Sequence, residues 1–375
     1  MKILLCDNRM SMLLNFRMSV IRHFLERGWD VLLVYPSMSH CKALESRIPA
    51  QCCTVTVDVD TSGTDVLKDV SYMRSLLAIY RREKPDVVFH YTIKPNIYGT
   101  IAARLARVPY TVAMVAGLGY VFSGNDLNKR LARLLYKIGL RLSDRVITLN
   151  ESNRNLLVAK GYVRKKNMEF FDCGEGVELS MFPRKNTGFK CVRFLMVGRV
   201  LYDKGYKEFV KAARIVKLRH PEVSFELLGP VDEESPMRVS REVFEKDMAE
   251  GTITYLGVTD DVPTVVGRDG VVLVVASYHE GLNRSLMEAC AMGRPAIASN
   301  IPGCRELVEE GGNGFLVEPK SPEQLVAAME RFISLSREQK IAMGEVSYRK
   351  AIEQFDVRIT LRKYDEILSS LGVCK

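Results

Sequence analysis

The chain has 375 residues, 47% of them hydrophobic and 26% charged, with a formal charge of +9. That length suits two or three domains of about 100–200 residues each. The balance excludes a disordered chain, a collagen-like repeat and a small disulfide scaffold, and no apolar run approaches the ~18–20 residues that span a bilayer.

Residues 2–6 form an apolar strand followed at once by Asp7 and Arg9, so the N-terminus reads as a buried strand rather than a leader. Residues 11–27 show helical spacing and stop at Gly28, a good C-cap. Strands at 30–35, 53–58, 86–91, 110–115 and 145–149 then alternate with helices at 65–82, 96–107, 127–142 and 151–160. Continuous apolar strands between amphipathic helices predict a parallel sheet covered on both faces. The rhythm breaks at the polar stretch 181–188 and restarts. Strands at 193–197, 223–228, 253–256, 270–276, 296–298 and 314–317 alternate with helices at 207–219, 285–292, 322–335 and 337–355, and a last helix covers 357–371.

The expected architecture is therefore α/β, with two Rossmann-like doubly wound domains. The predicted domains are 1–183 and 190–355, with the C-terminal segment 357–375 packing back on the first. Such a pair binds ligands at the carboxyl ends of the sheets, in a cleft that the two domains face. The nine cysteines are odd in number, scattered and without a C-x-x-C pair. They read as reduced, mostly buried thiols in a cytosolic chain, neither a zinc site nor a disulfide framework.

The positive charge is local. Residues 101–170 hold 13 Lys/Arg against 4 Asp/Glu, while the rest of the chain carries 41 of each sign.

Two stretches concentrate chemistry. In Ser277-Tyr278-His279-Glu280-Gly281-Leu282-Asn283-Arg284-Ser285-Leu286-Met287-Glu288, a buried strand runs through a Glu-Gly turn into a helix. Glu280 falls at the carboxyl end of a strand, Gly281 permits close backbone approach, and the next amides open a helix that suits an anion. Two carboxylates at this spacing are by themselves ordinary solvated groups; the setting gives them meaning. The second stretch, Gly198-Arg199-Val200-Leu201-Tyr202-Asp203-Lys204-Gly205, places Arg199 and Lys204 in a glycine-flanked βα loop. A guanidinium fork beside an ammonium suits a diphosphate.

Together these stretches resemble the retaining nucleotide-sugar glycosyltransferases of family 4, with the GT-B fold and a Glu-x7-Glu motif, over nearly the whole chain. Gly174-Glu175-Gly176-Val177-Glu178, Leu256-Gly257-Val258 and Pro302-Gly303-Cys304-Arg305-Glu306 also fit that family. His90-Tyr91-Thr92-Ile93-Lys94-Pro95-Asn96 and Gly117-Leu118-Gly119-Tyr120-Val121-Phe122 resemble the bacterial enzymes that extend polyprenyl-diphosphate-linked sugars in capsule, O-antigen or N-glycan assembly.

The resemblance implies roles. Arg199 and Lys204 would neutralise the diphosphate of a UDP-sugar donor, with Gly198 beside them. Glu280 would hold the sugar hydroxyls and support the developing oxocarbenium ion, and Glu288 would bind the ribose. The amides of Leu282 and Asn283, with Gly281 and Val258, would complete the donor site. His90, Lys94, Asn15, Arg17 and Tyr120 are the candidates for the acceptor. The implied enzyme needs no metal and no cofactor beyond its donor, because cations and a helix dipole take the place of Mg²⁺. Retention would proceed by front-face attack with the donor phosphate as base. One departure from the family is Asp7-Asn8-Arg9-Met10-Ser11-Met12, which lacks the glycines found there in many members.

Other signals have plainer readings. Asp58-Val59-Asp60 is a D-x-D that reads as a turn or cap. His90 also reads as a satisfied structural histidine, Lys94 as a solvated helix start and His279 as a loop residue. Gly117-x-Gly119 lacks the dinucleotide fingerprint. On the predicted helix 127–142, Leu127, Leu131, Leu134, Leu135, Ile138 and Leu142 form one stripe, and Arg130, Arg133, Lys137 and Arg141 a separate one. The basic stripe reads as a solvated flank or as a face toward an anionic membrane surface, which would place the protein on the inner face of the cell membrane. No recognised nucleic-acid motif accompanies it, and no oligomeric state follows from the sequence. The alternatives to a transferase are a sugar-nucleotide 2-epimerase of the same architecture and a non-catalytic carbohydrate- or nucleic-acid-binding protein.

Overall fold

The computed structural model describes residues 1–37, 42–60, 65–118, 122, 127–185 and 187–373. The chain divides into two compact units: Met1–Glu175 with Val357–Lys375, and Gly176–Asp356. The division falls at Glu175–Gly176 rather than within 181–188. That polar stretch belongs to the second unit, where Asp269 accepts hydrogen bonds from Thr187 Oγ1 at 2.9 Å and from the amides of Phe189 and Lys190 at 3.1 and 3.0 Å. A charged loop with a buried-edge acceptor is thereby an anchored segment, not a free linker.

The first unit carries strands β1 (Lys2–Cys6), β2 (Asp30–Pro36), β3 (Cys53–Val57), β4 (Val87–Tyr91), β5 (Tyr110–Val115), β6 (Arg145–Thr148) and β7 (Met168–Phe170). They form one parallel sheet in the order β3-β2-β1-β4-β5-β6-β7. The helices are α1 (Met10–Phe16), α2 (Met18–Glu26), α3 (Lys42–Glu45), α4 (Val66–Glu83), α5 (Thr100–Leu105), α6 (Leu127–Leu142) and α7 (Glu151–Ala159). The span 11–27 is thus two helices. They part at Arg17, whose backbone (φ −117°, ψ 5°) leaves the helical region. The helix predicted over 96–107 begins as a π-type turn, Pro95–Gly99.

The second unit carries β8 (Arg193–Val197), β9 (Ser224–Leu228), β10 (Thr254–Tyr255), β11 (Val271–Val275), β12 (Ala296–Ser299) and β13 (Gly314–Val317). They too are parallel, in the order β10-β9-β8-β11-β12-β13. The helices are α8 (Tyr206–Arg219), α9 (Arg241–Ala249), α10 (Val262–Val266), α11 (Arg284–Ala291), α12 (Pro322–Ser334) and α13 (Arg337–Lys350). Asp65, Asn150, Ser240, Asn283, Ser321 and Ser336 start their helices as N-caps, each accepting from an amide of the first turn. The polar helix α9, whose buried residue is Phe244, has too little periodicity to be seen from sequence. The final helix, α14 (Val357–Ser370), belongs to the first unit, where Asp365 pairs with His23 at 3.0 Å and Arg27 at 2.6 Å.

Every residue of β11 is buried, which puts a fully apolar strand at the centre of its sheet. The switch in strand order lies between β1 and β4 in the first sheet and between β8 and β11 in the second, so the loops after β1 and β8 open where such sheets bind ligands. The described cysteines are free: Cys6, Cys173, Cys290 and Cys304 are buried, Cys52 and Cys191 half-buried, and Cys53 exposed.

Candidate active site

In the second unit, β8 delivers Gly198 and Arg199, and a short 3₁₀ turn (Tyr202–Lys204) delivers Lys204. Gly205 follows at φ +83°, and a Cβ there would meet the Ala276 carbonyl oxygen at 2.2 Å. Only glycine lets this loop lie against the end of β11. The two loops are stitched together where the Tyr278 amide donates to the Asp203 carbonyl at 2.9 Å. As a result Lys204 Nζ lies 2.7 Å from Glu280 Oε1, although 76 residues separate them.

Arg199 lies earlier on the loop that carries Lys204 and donates from Nη1 to Asp232 Oδ2 at 2.8 Å. His279 is exposed and lies 3.5 Å from Asp203. Burial pushes the Asp203 carboxyl up, but the His279 bond and the charges of Lys204 and Arg199 outweigh it and hold the group below its ordinary value.

Glu288 lies on the second turn of α11 and accepts from Arg284 Nε at 2.7 Å. Burial raises its carboxyl, against the charge and hydrogen bond of Arg284. Arg284 also donates to the Gly176 carbonyl, joining the Gly-x-Gly turn to the carboxylate. A cavity of about 160 Å³ is lined by Gly198, Lys204, Glu280, Asn283, Arg284 and Ser285, among others, at the start of α11. A larger hollow of about 750 Å³ lies alongside α8, where Tyr206 donates to Asp247 and Tyr278 to Glu208, both at 2.9 Å.

Two donor-side expectations change. The Asn283 amide donates to the Gly303 carbonyl at 2.9 Å, and its side-chain Oδ1 caps α11 by accepting from Leu286, so that amide is engaged within the fold. Val258 is exposed, on the loop after β10, and does not line the cavity. Leu282 is half-buried against the apolar core under α11.

The acceptor candidates of the first unit are mostly structural. His90 is fully buried, between Tyr80 Oη at 3.0 Å and Thr100 Oγ1 at 3.2 Å, and burial pushes its pKa down to about 3. Lys94 is half-buried and pairs with the buried Asp69 at 2.5 Å. Arg17 is buried too. It forms an ion pair with Glu175, and its guanidinium carbon stands 4.5 Å from the centre of the Tyr91 ring. Asn15 is exposed and accepts from Arg47 at 3.0 Å. Tyr120, with Gly119 and Val121, lies outside the described residues. In the D-x-D stretch, Asp60 lies 3.6 Å from Lys68. Among the described residues there is no group of three or more His, Cys, Asp or Glu arranged to hold a metal.

Sequence reasoning missed Asp232, Asp203 and Arg284. The last was open to discovery, since Arg284 and Glu288 stand at i, i+4 on a helix. Asp232 was not, because it reaches Arg199 from a different βα loop.

Residues 184–350 match the family Glycosyl transferases group 1, and residues 2–150 match Glycosyl transferase 4-like. The N,N'-diacetylbacillosaminyl-diphospho-undecaprenol alpha-1,3-N-acetylgalactosaminyltransferase of Campylobacter jejuni is 26% identical, over 93% of either chain. The UDP-Gal:alpha-D-GlcNAc-diphosphoundecaprenol alpha-1,3-galactosyltransferase of Escherichia coli is 28% identical over 71% of each. The crystal structure of HepE from Anabaena with UDP-glucose superposes with a TM-score of 0.79, at 19% identity, over 99% of this chain and all of that one.

Proposed function

The chain belongs to the group 1 and family 4-like glycosyltransferases with the GT-B fold, and from that membership we propose that it moves a hexose or N-acetylhexosamine from a UDP-sugar to a saccharide carried on a polyprenyl diphosphate, with retention at the anomeric carbon and without a metal. The observation that carries this reading is the Lys204–Glu280 pair, held 2.7 Å apart with Arg199 on the neighbouring turn. Cations and a carboxylate at one loop junction meet both demands of the reaction: a diphosphate that gains charge as it leaves, and a sugar that gains positive character.

An ammonium has three donors, so Lys204 can keep Glu280 and still turn toward phosphate. Arg199 adds a second cation, and the N-terminal end of α11 adds a dipole of the same sign. Glu280 holds the sugar hydroxyls beside the reacting carbon, and Glu288, oriented by Arg284, accepts from the ribose. The donor phosphate takes the acceptor's proton, so the enzyme supplies no base. Both named relatives form α-1,3 links on lipid-diphosphate sugars, one of them from UDP-Gal, which supports the donor, the acceptor class and retention. With such an acceptor and a UDP-sugar donor the enzyme would work at the inner face of the cell membrane. Among the described residues no helix is long and apolar enough to cross a membrane.

A UDP-release screen with and without a lipid-diphosphate saccharide tests the reading. Turnover should require the acceptor, survive EDTA and yield an α-linked product by NMR. Turnover that survives both Glu280→Ala and Arg199→Ala removes the site assignment, and conversion of the UDP-sugar without acceptor favours a 2-epimerase.

A further inference from the structure

Helix α6 turns an unexpected side outward. Tyr136 and Leu140 are buried, and a Cβ on Gly139 would come 2.4 Å from the Asn96 carbonyl oxygen, so this face is pressed on the turn 95–99. Across the helix, Leu131, Leu134, Ile138 and Leu142 are 49%, 55%, 41% and 37% exposed. Their spacing of i, i+3, i+7 and i+11 sets them in one line. Single exposed leucines are ordinary, but a continuous apolar line on one helix face is not.

That line has a basic border. Arg130 lies one turn before Leu134, and Lys137 and Arg141 lie one turn after Leu134 and Ile138, respectively. Lys137 donates to the Lys160 carbonyl at 3.2 Å and Arg141 to the Gly161 carbonyl at 2.8 Å. The end of α7 thus holds two of the cations beside the apolar line. Arg133 is half-buried, farther round the helix.

We propose that Leu131, Leu134, Ile138 and Leu142 enter an anionic lipid leaflet, with Arg130, Lys137 and Arg141 at the level of its headgroups. A helix with an apolar line and cationic flanks lies in such an interface, its long cationic side chains reaching up to the phosphates. Charge selects lipid over a second copy of the chain, since a two-fold contact across α6 would set these cations against themselves. Because β5 and β6 are parallel, α6 runs from the carboxyl edge of the sheet to its amino edge, about 24 Å for 16 residues. Its first turn therefore lies at the edge where ligands bind, and the leaflet would present a polyprenyl-linked phosphate there. The inference deepens the lipid-linked reading, and it differs from a purely electrostatic address in requiring apolar insertion.

Flotation with phosphatidylglycerol-containing vesicles that hold no sugar acceptor tests it apart from the transferase assay. The protein should float with these vesicles more than with pure phosphatidylcholine. It should still float in about 0.5 M NaCl, where the screening length is only about 4 Å. Leu131→Gln/Leu134→Gln/Ile138→Gln should cut binding at least about tenfold, with the thermal midpoint and UDP affinity unchanged. Arg130→Gln should cost about fivefold at low salt. A triple variant that floats like the parent overturns the proposal. So does indifference to lipid charge, or a parent that fails to float and is instead a dimer that the triple variant dissolves.

Discussion

The candidate donor loops of the second unit rest on two dense motifs and the acceptor candidates of the first on scattered polar residues, and the two sets have different surroundings. Arg199, Lys204 and Glu280 are partly exposed and paired across loops, and Lys204 and Glu280 line a cavity. His90 and Arg17 are buried, and Lys94 is half-buried against Asp69. A motif encodes a backbone path, glycine turns included, and so carries its side chains to a site. A lone polar residue at a strand end carries no such path, and burial with a satisfying partner is its commoner outcome.

The sharpest break would come from activity. Lys204→Ala and Glu280→Ala should each lower kcat/KM about a hundred- to a thousandfold, because each removes a charge that the transition state needs more than the ground state. UDP release with a lipid-linked acceptor measures it, and a loss under tenfold would erase the contrast with the first unit.

Arg17→Met should act on stability instead, by about 3 kcal/mol or more, since it strands the half-buried Glu175 and the buried Asp7 carboxylates. Burial tends to lower the Arg17 pKa, but Glu175 and Asp7 more than reverse it, so the cation is present at all working pH values. Denaturant unfolding reads this effect. A variant of unchanged stability that loses acceptor turnover would restore Arg17 to the acceptor site.

Asp7, with a buried oxygen that has no hydrogen-bond partner, is raised by burial to about 6 from 3.8, against the opposing charge of Arg17. A raised carboxyl stabilises the fold fully below 3.8, and that contribution is lost as pH climbs to about 6. Asp7→Asn should therefore stabilise the protein at pH 7 by up to about 3 kcal/mol, and not at pH 4. Parallel melts at the two pH values decide.

The smallest effect concerns His90. Its depressed pKa means stability that is present above 6.5 and lost as pH falls toward about 3, at about 1.4 kcal/mol per pH unit. By pH 5.5 the parent should have lost about 1.4 kcal/mol that His90→Gln does not lose. Equal slopes for parent and variant would mean that His90 is reached by solvent.

Much was legible from the sequence alone. Apolar runs such as Val271–Val275 read as central strands, and the first strand and helix boundaries followed the apolar spacing. The two loops of the candidate site could be read because their glycines and charges are close in sequence. The Arg199–Asp232 pair and the break at Arg17 could not, since each depends on contacts made by distant parts of the chain.

Helix α6 marks the boundary. Its extent, its apolar stripe and its basic stripe are all properties of residues 127–142, and the sequence by itself determined them. Which side faces inward was decided by the tertiary structure. The turn at Asn96–Ile97 comes so close that only a glycine can meet it, and Gly139 brings Tyr136 and Leu140 into the core with it. Periodicity measures how apolar residues are spaced around a helix, but it contains nothing about how near the neighbouring backbone must come. Close packing at Gly139 took precedence over burial of the longer leucine stripe, which was left facing outward.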